Sequence, residues 1–129
     1  MLSNAAIVSE NIVGNPMDVA IWEYAKEINA QAGVETYNKV DEVPFDYQRR
    51  MMSVVVSRNG EYTLISKGAP ESVFSKCNYA NVSGRTTLIT DVQKAINDKF
   101  YNLSELGYRI LAVASKTVEA KASYSVEDE

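Results

Sequence analysis

Histidine is absent from the sequence, and cysteine occurs once, at Cys77. Without histidine the chain can form neither a Ser-His-Asp nor a Cys-His catalytic arrangement, and the usual ligands of a zinc site are missing. A single cysteine excludes an internal disulfide, and the simplest interpretation is a structural residue in a reducing compartment. The phosphate-binding loops GxxxxGK[ST] and GxGxxG are also missing, which removes two common classes of nucleotide-binding enzyme.

The sequence also lacks long apolar runs and excess positive charge. No stretch approaches the roughly 20 apolar residues that span a bilayer, and no signal peptide is visible, so we expect no direct membrane contact. The net charge of −4 argues against binding to nucleic acid but leaves room for a small basic pocket. With 129 residues, 46% of them hydrophobic, residues 1–129 are predicted to form one monomeric domain.

The clearest local pattern is a β-hairpin around Asn59-Gly60, a pair that favours a two-residue type I′ turn. A turn of that length pairs Val54 with Ile65 and Met52 with Lys67. Because side chains alternate between the two sides of a strand, Arg50, Met52 and Lys67 are predicted to share one face. Phe45 lies just upstream. Two cations, an apolar floor and an aromatic residue therefore indicate a binding site.

A helix is predicted to begin at Asn15, with Pro16 at its first position, and to end at Gly33. Asp18 in its first turn has two interpretations. It could stabilise the free backbone N–H groups of the helix start, or it could accept a hydrogen bond from a ligand amino group.

The segment Lys67–Glu71, KGAPE, connects the second hairpin strand to a short helix. Gly68 has no Cβ and would let a ligand approach the backbone closely. Lys67 is interpreted either as a site residue above that gap or as a solvated lysine at the sheet edge. Arg109, the only charged residue early in the last strand, lies either at an exposed strand end or against an anion.

The remaining segments complete the predicted architecture. We expect a short helix in Met1–Val13, a strand in Thr36–Val43 that Pro44 stops or marks as a sheet edge, and two short strands around Ser83-Gly84-Arg85. A capping box at Thr90–Gln93 would open a second long helix that Gly107 closes, and Tyr108–Lys116 would form an interior strand. The tail Thr117–Glu129 shows no core-forming pattern. These elements predict an α+β fold with a largely antiparallel sheet covered by helices.

Four segments together resemble one family. They are GNPMDVAI at Gly14–Ile21, FDYQRRMMSV at Phe45–Val54, KGAPE at Lys67–Glu71 and GYRILAVA at Gly107–Ala114. In this order and spacing they are similar to the nucleotide-binding domain of P-type ATPases. The resemblance implies a twisted, mainly antiparallel sheet of six or seven strands flanked by helices, excised from the cytoplasmic part of a membrane pump. It also implies ATP as the ligand, as Mg-ATP in the parent protein.

The resemblance also assigns roles to individual residues. Phe45 matches the aromatic residue that stacks on adenine, and Lys67 matches a lysine deep in the pocket, with Gly68 where the base meets the backbone. Asp18 matches an acidic position near the adenine amino group, where the family usually has glutamate. The other members of the implied site are two basic residues that reach towards the phosphates and three residues that line the pocket: Arg50, Arg109, Met52, Ala69 and Leu111.

The family's phosphorylated aspartate, in its DKTGT motif, has no counterpart in the sequence. Phosphoryl transfer then has no nucleophile, so we expect this polypeptide to bind nucleotide without chemistry of its own. Phosphorylation and actuator domains of the same parent chain would be its partners. The motif FDYQRRMMSVVV resembles magnesium-importing pumps most, with another cation pump, such as a calcium pump, as the alternative. A domain that keeps the fold but serves only in interactions is a further alternative.

Overall fold

The computed structural model describes the backbone of residues 6–8, 11–13 and 15–129, and the side chains from residue 15 onward. Its helices are α1 Pro16–Glu27, α2 Pro70–Phe74 and α3 Ile89–Glu105. Its strands are β1 Ala6–Val8, β2 Asn11–Val13, β3 Asn38–Asp46, β4 Met51–Arg58, β5 Glu61–Gly68, β6 Tyr79–Val82, β7 Arg85–Leu88 and β8 Ala112–Val118. This content confirms the predicted α+β class. Within the described residues the strands divide into a four-stranded sheet and two hairpins, all antiparallel, rather than joining in one large sheet.

The central sheet has the strand order β3-β4-β5-β8. Its β4-β5 hairpin has the predicted register, with Val54 opposite Ile65 and Met52 opposite Lys67. Asn59 and Gly60 have φ angles of 52° and 83°, the left-handed values that a type I′ turn requires at both positions. The prediction from the Asn-Gly pair is therefore confirmed.

The pleat of β4 and β5 separates two faces, which we call the front and the back. The front face carries Met52, Val54, Val56, Ile65 and Lys67, of which the apolar members form one core cluster. The back face carries Met51, Ser53, Val55, Leu64 and Ser66, where Met51 packs with Val73 of α2 and Val55 packs with Leu64. Almost all of β4 is buried, so the sheet has core on both sides.

Helix α1 begins as predicted, because the Asn15 side chain accepts hydrogen bonds from the N–H groups of Met17 and Asp18. Its predicted end at Gly33 is wrong. The helix stops at Glu27, where Asn29 adopts a φ of 54° and donates to the carbonyl of Lys26. Asparagine tolerates this left-handed position and can end a helix as glycine does, which the sequence interpretation overlooked.

Helix α3 begins at Ile89, directly after β7, and the predicted capping box at Thr90–Gln93 is wrong. Leu88 occupies the N-cap position without a side-chain hydrogen bond, and the Ile89 N–H is bonded to the carbonyl of Asn78 in the preceding segment. The predicted end is confirmed. Gly107 has a φ of 84° and donates to the Ser104 carbonyl, as in a Schellman motif.

Three predictions for the C-terminal side of the chain are wrong. The final strand begins at Ala112 rather than Tyr108, and β8 lies at the sheet edge rather than inside it. The tail also contributes to the core, because Tyr124 is buried against Val55 and Leu64 on the back face. Tyr124 is a single buried aromatic residue in a polar tail, and a periodic apolar pattern cannot reveal a single buried ring.

The described residues within Met1–Val13 form the β1-β2 hairpin, so the helix predicted there is wrong for Ala6–Val8 and Asn11–Val13. β-branched residues are frequent in both segments and favour strands. For the rest of Met1–Val13 the prediction lies outside the described residues. The two strands predicted around Ser83-Gly84 are confirmed as β6 and β7, with left-handed φ angles at both turn residues.

Candidate functional site

Strand β3 is bulged where it carries Phe45. Val43 pairs with Ser53 and Asp46 with Met51, so Pro44 and Phe45 together stand opposite Met52 of the front face. Proline, which has no backbone N–H, fits there because β3 is an edge strand and needs no donor on its outer side. This agrees with the prediction that Pro44 marks a sheet edge. Bulges commonly redirect a side chain. Phe45 as a residue is 52% exposed.

The Phe45 ring has an aromatic neighbour. Tyr47 lies edge-on to it, with ring centroids 5.2 Å apart and an interplanar angle of 88°. Tyr47 is itself highly exposed. Two accessible aromatic rings therefore lie together beside the bulge, and the residue on β3 stands opposite Met52 in the strand pairing.

Lys67 lies next to Met52 on the front face, and its Nζ forms an ion pair with the carboxylate of Asp18 from α1. The two side chains are 10% and 1% exposed. The interpretation of Lys67 as a solvated edge lysine is therefore wrong. Asn15 caps the helix start, and the Asp18 carboxylate is directed to the lysine. The fold thus joins two residues that the sequence singled out separately.

The Asp18–Lys67 pair leaves hydrogen-bonding capacity unused. Within the part of the chain that the structure describes, Asp18 Oδ2 has no hydrogen-bond partner although it is buried, and neither has Trp22 Nε1. Buried polar atoms are seldom left unpaired in folded proteins. This carboxylate oxygen therefore retains an unused capacity to accept a hydrogen bond. The sequence interpretation did not single out Trp22.

Gly68 is the last residue of β5, at the same end of the sheet. The sequence did not reveal why this position requires glycine. A Cβ at this position would meet the Arg50 carbonyl oxygen at 2.3 Å and Met51 Cβ at 2.6 Å. The glycine is required by the close passage of the protein's own β4 backbone. Ala69 follows at the N-cap of α2 and donates its N–H to the same Arg50 carbonyl.

Arg50 does not continue the alternation of β4, as the sequence interpretation assumed. The strand begins at Met51, and Arg50 has a left-handed φ of 52° in the turn before it. Its guanidinium forms an exposed ion pair with Glu71 of α2, with 2.8 Å between Nη1 and Oε1. The predicted placement of Arg50 on the front face by strand alternation is therefore wrong.

Arg109 and Leu111 precede β8 instead of lying in it, which corrects the predicted strand. Arg109 is exposed and Leu111 is half-buried. The first residue of β8, Ala112, pairs with Gly68, so this segment enters the sheet at the end where Lys67, Gly68 and Ala69 lie.

The back face has a polar network of its own. Glu129 Oε1 accepts hydrogen bonds from Arg49 Nη1 and from Ser53 Oγ, each at 2.6 Å, and Ser53 Oγ lies 2.7 Å from Ser66 Oγ. The sequence contained no signal for this arrangement, because Glu129 and Arg49 are 80 positions apart. The network attaches the chain's last residue to the sheet.

A cavity of about 720 Å³ also lies on the back side, lined among others by Met51, Leu64, Val73, Cys77 and Ile96. None of the predicted site residues lines it. Burial raises the pKa of the Cys77 thiol, which donates to the Val73 carbonyl at 3.3 Å. A thiol with a raised pKa is less nucleophilic at neutral pH, consistent with a structural cysteine.

Two absences can be stated for residues 6–8, 11–13 and 15–129. No group of three or more carboxylate or thiol side chains in this part is arranged to hold a metal ion. None of its helices combines the length and the apolar character that crossing a membrane requires.

Comparison with known proteins identifies a family. The family described as "P-type ATPase, cytoplasmic domain N" matches residues 2–129. The chain is 34% identical over 121 residues to "Magnesium-transporting ATPase, P-type 1" of Escherichia coli K12, covering 89% of this chain and 13% of that protein. It is 35% identical over 104 residues to "Calcium-transporting ATPase 1" of Schizosaccharomyces pombe, covering 79% of this chain and 12% of that protein. "Calcium-transporting ATPase 1" of Lactococcus lactis is 31% identical over 125 residues, covering 92% and 14%.

Proposed function

The chain belongs to the P-type ATPase family as its cytoplasmic domain N, and from that premise we propose that it binds ATP for a cation-transporting pump. The chain spans about an eighth of the length of the relatives that it matches, with 13% of the Escherichia coli protein covered. The activity of a whole pump is therefore a proposal about a longer protein. In that protein, this domain would present Mg-ATP to the phosphorylation domain.

One observation carries the nucleotide proposal: the Asp18–Lys67 pair on the front face, with a carboxylate oxygen that has no partner among the described residues, next to the bulge at Phe45. The aromatic ring offers a π-face for adenine. The Asp18 oxygen without a partner in the described chain is suited to the 6-amino group, and Lys67, paired with the other oxygen, forms the floor of the proposed pocket. Met52, Gly68, Ala69 and Leu111 complete the proposed lining.

The phosphate groups require cations at the rim. Arg50 and Arg109 are both exposed near this end of the sheet. The Arg50–Glu71 ion pair is half-exposed, so exchanging Glu71 for a phosphate oxygen would cost little. We propose these two arginines as the phosphate contacts.

For the parent protein we propose a magnesium pump at the cell membrane, with phosphorylation and actuator domains in the same chain. The Escherichia coli relative named for magnesium transport supports this ion. The relatives named for calcium transport, at 35% and 31% identity, support calcium as the alternative. Ion selection belongs to membrane segments. Metal-dependent transport by the full-length protein would decide between the ions, with magnesium uptake as the expected result.

Nucleotide titration of the isolated chain, followed by amide chemical shifts, tests the proposal. We expect ATP to bind with a dissociation constant of order 0.1–1 mM, equivalent to about −4 to −5.5 kcal/mol. The largest shifts should fall at Asp18, Phe45 and Lys67–Ala69. Amides around Tyr124 on the back face serve as internal controls and should move little.

A second candidate is a domain that keeps this fold and serves only in interactions. The exposed Tyr47 and the shorter Asp18, where the family usually has glutamate, favour it. Absence of front-face shifts at millimolar ATP, with an intact amide spectrum, would contradict nucleotide binding and support this candidate. Sustained phosphate release by the purified chain would contradict the proposal that it needs another domain for chemistry.

A further inference from the structure

Trp22 and Asp18 lie one turn apart in α1, the i and i+4 spacing that places two side chains on the same side of a helix. Each holds a buried polar atom without a partner in the described residues: an indole N–H donor and a carboxylate oxygen acceptor. One unpaired atom could be incidental. A donor and an acceptor on the same side of one helix form a pattern that a ligand can match.

We infer that Trp22 determines the base specificity of the proposed nucleotide site, with its Nε1–H donating to a ring nitrogen of adenine. This inference rests on the proposed ATP binding. Adenine carries an amino donor at C6, flanked by the acceptor nitrogens N1 and N7. The 6-amino group would donate to Asp18 Oδ2 while N1 or N7 accepts from Trp22. Asp18 provides the acceptor of this arrangement, and Trp22 provides its donor.

The same arrangement disfavours guanine. Guanine has an oxygen acceptor at C6 in place of the amino donor. That oxygen would face the Asp18 carboxylate, an acceptor against an acceptor, and unmatched polar groups in a buried site are strongly disfavoured. We therefore expect ATP to bind more tightly than GTP, by about tenfold or more.

Analogues of ATP identify the bond directly. In 1-deaza-ATP and 7-deaza-ATP a carbon replaces N1 or N7, respectively. One of the two should bind the wild-type chain roughly 3- to 10-fold more weakly than ATP, the range expected for one hydrogen bond. In Trp22→Phe, which keeps an aromatic ring without the N–H, that difference should disappear.

Two further measurements make the test robust. Tyr24→Phe removes a polar group from an exposed aromatic residue of the same helix and should leave every affinity unchanged. Trp22 is the only tryptophan of the chain, so its indole N–H resonance reports the bond in the wild-type protein. The resonance should move downfield on addition of ATP, and this readout is independent of whether Trp22→Phe folds.

The outcomes distinguish the role of Trp22 from the binding of ATP itself. If the wild-type chain binds ATP but both analogues bind equally well, or if the analogue's loss persists in Trp22→Phe, the role of Trp22 is wrong and ATP binding stands. An indole resonance that ATP does not move also contradicts the role of Trp22. If the wild-type chain fails to bind ATP, the nucleotide proposal itself is wrong.

Discussion

The front and back faces of the central sheet use polar side chains in different ways. On the back, the hydroxyls of Ser53 and Ser66 bond to each other, and Ser53 also bonds to Glu129, which holds Arg49. On the front, Lys67 pairs with one oxygen of Asp18 and leaves the other without a partner in the described chain.

This difference suggests what each face is for. A buried network whose members bond to one another mainly stabilises the fold. A buried pair with an unpaired oxygen, beside an exposed aromatic ring, retains capacity for recognition. We expect substitutions on the back to change mainly stability. Substitutions of exposed front residues should change mainly nucleotide affinity.

The largest effect is expected for Lys67→Met, which leaves the buried Asp18 carboxylate without its cation. Removing one partner of a buried ion pair typically costs about 3–5 kcal/mol of unfolding free energy. Urea unfolding measures this loss. The double variant Lys67→Met, Asp18→Asn should recover much of it, because no unpaired charge remains. A loss below about 1 kcal/mol in the single variant would show that the pair is not desolvated.

On the back face, Tyr124→Ala should lower the unfolding free energy by about 3 kcal/mol, the range for removing a buried aromatic side chain. Tyr124→Phe is the matched control. It loses only the hydroxyl, which donates to the Glu119 carbonyl and accepts from the Lys121 N–H, and should cost about 1 kcal/mol. Nucleotide affinity should not change in either variant, provided that it is measured where the protein is fully folded. A changed affinity would break the separation of the two faces.

Phe45→Ala should give the reverse result. Loss of base stacking is expected to weaken ATP binding by roughly 1–3 kcal/mol. Because the ring is about half exposed, stability should change much less than in Tyr124→Ala. Tyr101→Ala, at an exposed aromatic residue of α3, controls for non-specific effects. An affinity within a few tenths of a kcal/mol of wild type would remove Phe45 from the site.

Acid should weaken the attachment of the tail to the back face. The Tyr124 N–H bonded to the Asp41 carboxylate, together with the Glu42 N–H, lowers the pKa of Asp41 below its usual 3.8. Because the folded-state pKa is lowered, the stabilisation is fully present above about pH 4 and is lost as the pH falls through the folded-state value. In urea unfolding from pH 6 to pH 2, Asp41→Asn should be less stable than wild type near pH 6. The difference should shrink towards pH 2, and a constant difference would contradict the linkage.

The smallest effect is expected away from both faces. Lys94 and Asp98 form an i,i+4 ion pair on α3 with side chains 90% and 59% exposed. Lys94→Ala should change the unfolding free energy by at most about 0.5 kcal/mol, since exposed pairs are screened by solvent. Salt titration provides the control, because any effect should vanish at high ionic strength. A loss as large as that of Lys67→Met would mean that burial does not distinguish the two pairs.

Local patterns predicted the local structure well. Asn59-Gly60 set the hairpin register, Asn15 set the start of α1, and Gly107 marked the end of α3. The failures share a cause. The capping box at Thr90 competed with a strand that runs directly into the helix, and the end at Gly33 competed with an asparagine that ends the helix earlier. A local signal fails where a different local residue or a tertiary contact satisfies the same backbone groups.

By itself, the sequence determined the α+β class, the hairpin register and the candidates Phe45 and Lys67, because turns and strand alternation act over a few neighbouring residues. Tertiary structure alone decided that Asp18 pairs with Lys67 and that Tyr124 and Glu129 attach the tail to the back face. These contacts join residues many positions apart. They form because a buried charge without a partner and an aromatic ring left in water both cost free energy. No local pattern in the sequence records that cost.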